Sequence, residues 1–206
     1  MNQQDDELET VAPDARSEDE MTLDAPELAE AAAQPRPERP PAPVVDDPNA
    51  PLQVVSLEDN INGLCRILEG ARRDLAVFTR HLDPRLYDDA RVLELMTQLG
   101  RSSPFARLRF LVMDAKVAAS KGSKLLSLGR SLSSYFEFRK VHSDHEAMGN
   151  EFIVVDEAAC LYRPQADRYE GLLHPHDGLE ARLNLKTFNQ IWEKSEPDPD
   201  LRQMKL

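Results

Sequence analysis

Gly149-Asn150-Glu151-Phe152-Ile153-Val154-Val155-Asp156 is an apolar strand bracketed by two carboxylates, and the elements around it decide the fold class. Only Asp156-Glu157-Ala158 separates it from a second strand-like run, Ala159 to Tyr162, which is hairpin spacing. Upstream, Tyr135 to Val141 alternates, with Phe136 and Phe138 on one side and Glu137 and Arg139 on the other, the period of a half-buried strand. Leu108 to Met113 and Leu75 to Thr79 are two further apolar runs rich in strand formers. Helical spacings lie between them. Ser56 and Asp59 open a capping box before Ile61, Leu64, Cys65 and Leu68, predicting a helix over Leu57 to Arg72. Asp83-Pro84 starts a second, Arg85 to Leu99, ending at Gly100; Ala118, Leu125 and Leu128 mark a third that stops near Gly129. Downstream, Ala181, Leu183 and Leu185 alternate like an edge strand before Phe188, Ile191 and Trp192 take up helical spacing. The pattern predicts an α/β fold, a mixed sheet with helices on both faces.

The formal charge of -12 over 206 residues is unevenly spread. Residues 1–50 hold 14 acids against 3 basic residues, 8 of the 15 prolines and no aromatic side chain; residues 51–206 hold 23 acids against 22 bases. Such a tail cannot bury enough apolar surface to offset its ordering entropy, so residues 1–51 are predicted to be disordered and 52–206 to form one domain. The N-terminus has neither the positive start nor the apolar run of a secretory signal, and no segment reaches membrane-spanning length, which predicts a cytoplasmic protein without a membrane partner. Cys65, on a helical apolar face, and Cys160, in a strand, are predicted to be buried thiols.

In this order of elements, the strand closing on Asp156 resembles the active-site strand of the phospholipase D superfamily, whose motif is His-x-Lys, four residues, then Asp. Phe188-Asn189-Gln190-Ile191-Trp192 is similar to the Phe-x-x-x-Trp helix that often ends such lobes. The resemblance covers roughly residues 56–196 and implies a single phospholipase D-like lobe. In the family the His attacks phosphorus, the Lys binds non-bridging oxygens and the Asp holds the imidazole. Counting back from Asp156, Gly149 takes the place of the His and Glu151 that of the Lys. The Gly-Ser-x-Asn turn that should follow is replaced by Cys160-Leu161-Tyr162-Arg163. No shift of frame restores the motif, because the residues two places after His81, His142, His145, His174 and His176 are Asp83, Asp144, Ala147, His176 and Gly178. The resemblance therefore implies a pseudoenzyme that binds or scaffolds. A lobe carries half a site, so it also implies a homodimer. The chain is similar, too, to a bacterial domain of unknown function joined in some proteins to a GNAT-type acetyltransferase, which implies an acetyltransferase-linked protein partner.

Between Lys116 and Lys140 the chain carries Lys116, Lys121, Lys124, Arg130, Arg139 and Lys140 against one acid, Glu137. Beside Ser120 and Ser123 these residues form a candidate anion site for phosphate or a nucleic-acid backbone, the alternative being a solvated helix face. The acidic tail, tethered nearby, is a candidate to occupy that surface. His174-Pro175-His176-Asp177 fits no common zinc spacing, and a turn capping the next element is expected instead of a metal site. No cofactor is expected. His142, His145 and Asp144 precede the degenerate strand, and together with Asp156 they are the residues an enzyme with a re-purposed cleft would use. Glu151 and Asp156, five apart, point to opposite faces. Phe188 and Trp192 are expected core anchors, and Arg72-Arg73-Asp74 a helix C-terminus.

Overall fold

A computed structural model describes residues 47, 49–120 and 123–202, so the tail predicted over 1–51 lies almost entirely outside the described residues, as does Lys121. The chain runs β1 (Leu52–Val54), α1 (Leu57–Glu69), β2 (Asp74–Thr79), α2 (Pro84–Tyr87), α3 (Ala90–Ser102), β3 (Arg107–Val112), α4 (Ala115–Ser120), α5 (Lys124–Ser131) and β4 (Phe136–Lys140). A 3-10 turn (Ser143–His145) leads to β5 (Glu151–Val155), β6 (Ala159–Arg163), β7 (Gly171–His174), α6 (Gly178–Lys194) and α7 (Pro199–Arg202). The strands make one sheet in the order β1-β7-β6-β5-β2-β3-β4. β2, β3 and β4 are parallel; β5 runs antiparallel to β2 and to β6.

Strand alternation divides the core. Leu75, Val77, Leu108, Phe110, Ile153 and Leu161 face the helices α1, α3 and α5. Ala76, Phe78, Leu111, Phe152, Val154 and Cys160 face α6, which buries Ala181, Leu185, Phe188 and Ile191 against them. The α/β class, the mixed sheet and helices on both faces are as the sequence predicts. Both cysteines are free and buried, and burial pushes the Cys160 thiol up to about 12.

Several elements differ from the sequence expectations. The first helix ends at Glu69, because Gly70 caps it, and Arg72 lies beyond it. The helix expected over Arg85 to Leu99 is two: Asp83 caps α2, Asp89 caps α3, and α3 continues through Gly100 to Ser102. The third expected helix is also two, the second starting at the cap Ser123. Ala181, Leu183 and Leu185 are not an edge strand but the middle of α6, capped by Asp177, whose carboxylate accepts from Leu179 and Glu180 N–H. The edge of the sheet is instead supplied by β7 and the three-residue β1.

Candidate functional site

In an open α/β sheet, ligands gather beyond the carboxyl ends of the parallel strands, where the chain direction changes. Here that end carries Arg80 and His81 after β2, Asp114 after β3, Lys140 at the end of β4, Glu151 at the start of β5 and Arg163 at the end of β6. Two neighbouring clefts open there. One, of about 260 Å³, is lined by His81, Asp83, Arg85, Glu151, Arg163 and Tyr169, among others. The other, of about 380 Å³, includes Arg80, His81, Asp114, Lys116, Lys140 and Glu146. His81 borders both and is the only imidazole among their lining residues.

The floor of the smaller cleft is a closed polar cluster. Glu151 is only 3% exposed and Arg163 only 4%. They face each other directly across the hairpin, and Arg163 Nη2 lies 2.6 Å from Glu151 Oε1. The buried Tyr87 hydroxyl donates to the same carboxylate oxygen at 2.7 Å, while Arg163 Nη1 donates to the Arg168 carbonyl. Burial and the Glu151 charge both push the Tyr87 phenol well above its ordinary range. For Arg163 burial pulls the other way, but Glu151 outweighs it and the guanidinium is held charged. Above them the Tyr169 hydroxyl donates to Asp83 at 2.7 Å, and its ring takes the Arg85 and Arg163 guanidinium groups at 5.6 Å. Burial and the Asp83 bond raise the Tyr169 phenol to about 12. Burial of Asp83 is outweighed by hydrogen bonds from Arg85 and Tyr169, which lower its carboxyl below the usual range.

The Glu151 carboxylate, which the sequence resemblance sets at the position of a phosphate-binding Lys, is consumed by Arg163 and Tyr87. At Gly149, which the same resemblance sets at the position of the nucleophile, an added Cβ meets nothing within 4 Å, so packing does not forbid a side chain. Asp156 corrects an expectation. It sits in the β5–β6 turn at the other end of the strand, about 16 Å from Glu151 at 3.3 Å per residue, and cannot orient a group beside Gly149. Its carboxylate accepts the backbone N–H groups of Arg72, Arg73 and Asp74 at 2.6, 2.9 and 2.8 Å, pinning the chain's entry into β2. Asp156 and Glu157 both hold left-handed backbone angles, φ 50° and 56°.

The basic stretch does not form one patch. Lys116 and Lys140 line the larger cleft. Arg139 spends its guanidinium on Glu137, on the Trp192 and Ser195 carbonyls and on the Trp192 ring. The N-terminus of α5 beside Lys124 is already occupied from within, because Asp88 accepts from Ser123 Oγ and from Lys124 and Leu125 N–H, each at 2.9 Å. Arg130 lies at the opposite end, in a groove with Arg107 and Arg109. His142 is exposed and bonded to its own turn through Asp144 N–H; neither it nor His145 lines the clefts. His174 and Asp177 are 3.5 Å apart, and no group of three metal-ligating side chains is present among the described residues.

Residues that sequence reasoning missed are Tyr87 and Arg163 as partners of Glu151, Asp83 and Tyr169 above them, and His81 between the clefts. A signal for Arg163 existed: the three-residue hairpin turn puts it opposite Glu151, and a charge opening a buried strand demands such a partner.

The family described as "Domain of unknown function (DUF7931)" matches residues 56–204. No curated protein matches the chain. Among solved structures it is similar to TrmBL2, an archaeal chromatin protein whose structure shows a novel mode of DNA binding. There the identity is 16% and the TM-score 0.53, over 84% of this chain and 61% of that one, so the chain spans less than two thirds of that relative. It is similar to NucT from Helicobacter pylori at 14% identity and TM-score 0.54, over 72% of this chain and 99% of that one. A phosphatidylserine synthase of Haemophilus influenzae Rd KW20 follows at 15% identity, TM-score 0.48, 76% and 41%. The likeness to TrmBL2 and to NucT is one of fold alone.

Proposed function

The chain belongs to the DUF7931 family, and we propose that it is a non-catalytic phospholipase D-like module that binds or scaffolds. The observation that carries this is the Glu151–Arg163 pair. Two opposite charges are removed from water together and satisfied by Tyr87 and a carbonyl, so this pair offers neither a group to attack phosphorus nor a free cation to hold its oxygens. A single lobe supports pairing with a second copy, since one lobe accounts for 99% of the NucT chain.

The test is turnover of a chromogenic phosphodiester and of phospholipid vesicles by the purified protein. No rate above buffer is expected. Turnover that disappears in a His81→Ala or Glu151→Gln variant would overturn the proposal, and light scattering checks the dimer. A nucleic-acid ligand is the second reading, favoured by arginines that gather at the end of the sheet away from the clefts.

A further inference from the structure

Because β2, β3 and β4 are parallel, the segments that precede them share one end of the sheet. Arg72 and Arg73 come just before β2, Arg101 lies in the last turn of α3 and Arg107 opens β3. The Arg107 N–H donates to the Arg73 carbonyl at 2.8 Å, which places the two segments side by side. A groove of about 550 Å³ continues from there, lined by Arg107, Arg109, Arg130, Ser133, Ser134 and Tyr135 together with aromatic and aliphatic side chains. We propose that this end of the domain binds the sugar-phosphate backbone of single-stranded nucleic acid, with the arginines on phosphates and Phe105 stacking on a base. The proposal deepens the nucleic-acid reading and stands whether or not the vestigial cleft is inert.

The acids that could cancel this charge are largely engaged. Asp74 holds Arg107 at 3.0 Å, Glu137 holds Arg139 at 2.7 Å, and the Asp156 oxygens are taken by backbone N–H groups. Arg72, Arg73 and Arg101 are exposed, and their side chains make no hydrogen bond or ion pair among the described residues. Arg109 is half-buried beneath the groove, its guanidinium over the Phe188 and Trp192 rings and one nitrogen on Asn189. Its Nε has no hydrogen-bond partner among the described residues. All these cations are arginine, whose planar fork binds phosphate oxygens in pairs. Phe105 is 69% exposed, in the turn between Arg101 and Arg107, where it offers an aromatic face amid positive charge. A lone aromatic beside a concave, hydroxyl-lined groove suits a polymer better than a lipid surface, which calls for a broader apolar face.

The experiment is fluorescence anisotropy of a labelled oligothymidylate with the full chain across a range of salt. Contact with about four phosphates predicts a slope of about -3 in log affinity against log salt. The double variant Arg73→Gln, Arg101→Gln, altered only at exposed side chains, is expected to weaken binding about tenfold and to flatten the slope. Lys116→Gln with Lys140→Gln, at the other end, is expected to change affinity less than about twofold. Phe105→Ala should weaken binding at every salt concentration, because stacking is not screened. Absent binding at low salt overturns the proposal, as does indifference to the arginine pair or a loss that follows the lysine pair instead. Arginine-dependent retention on anionic phospholipid vesicles that oligothymidylate does not compete away also overturns it. None of these outcomes depends on phosphodiester turnover, so a catalytic result leaves the test intact.

Discussion

At the scale of the residue, Glu151 shows what a buried charge requires of its neighbours. A carboxylate at 3% exposure is tolerable only because Arg163 and Tyr87 complete its bonding. Glu151→Ala leaves the Arg163 charge buried and alone, and should cost about 3–5 kcal/mol in chemical denaturation. The double replacement Glu151→Leu with Arg163→Met should recover most of that loss, because removing both charges also removes both desolvation penalties. A merely additive double variant would mean the two charges do not sense each other. The Tyr169 phenol makes a second, titratable case. It is held protonated to about 12 against an ordinary 10. Its contribution to stability is therefore complete below pH 10 and is lost as the pH climbs from 10 toward 12. Melting temperatures of Tyr169→Phe should fall less steeply over that window than those of the parent chain; Tyr87, also raised, maintains part of the slope. Gly149 and Glu151 were visible in the sequence as motif positions. Their chemistry was not, because it depends on Tyr87, 64 residues away from Glu151. Arg163 was nearer to hand, fixed by the register of a hairpin whose strands were already apparent.

At the scale of the element, the long and strongly patterned pieces were legible and the short ones were not. α1 carries its capping box as the sequence predicts, with Ser56 and Asp59 bonding to each other's backbone. β1 and β7, three and four residues long, have too little length to show a period. The residues Ala181, Leu183 and Leu185 alternate, yet Leu183 is exposed while the other two are buried on a helix that continues to Phe188 and Ile191. Their apparent strand period is an accident of one apolar residue on the solvent side. Close approach between elements was equally hidden, since it leaves no mark but a glycine. A Cβ at Gly129 would lie 2.4 Å from the Phe138 ring, which is itself stacked 4.7 Å from Phe110 and has little room to retreat. Gly129→Ala, which helix propensity alone would favour, should instead push α5 off β4 and destabilise by about 1–3 kcal/mol. A denaturation midpoint equal to or above that of the parent chain would show that the ring yields.

At the scale of the whole molecule, charge is sorted as sharply as apolar surface. Among the described residues both cores lie between Val54 and Leu201, while residues 1–50 carry a net charge of -11. Residues 51–206 are near neutral, with the internal Glu151–Arg163 pair at one end of the sheet and arginines lining the other. A polyanion approaching the arginine end therefore meets local attraction against a molecular charge of -12. The two act over different distances: contact attraction persists in salt, whereas repulsion from the acidic segment fades as the Debye length shrinks from about 30 Å at 0.01 M to about 8 Å at 0.15 M. Deleting residues 1–50 leaves a chain of net charge -1 that retains every core residue among the described ones. That chain should bind oligothymidylate several-fold more tightly than the full one at low salt, and the two affinities should converge as salt rises. A gain that persists undiminished at high salt would point to direct contact between the acidic segment and the groove, and equal affinities at low salt would remove any influence of the segment on it.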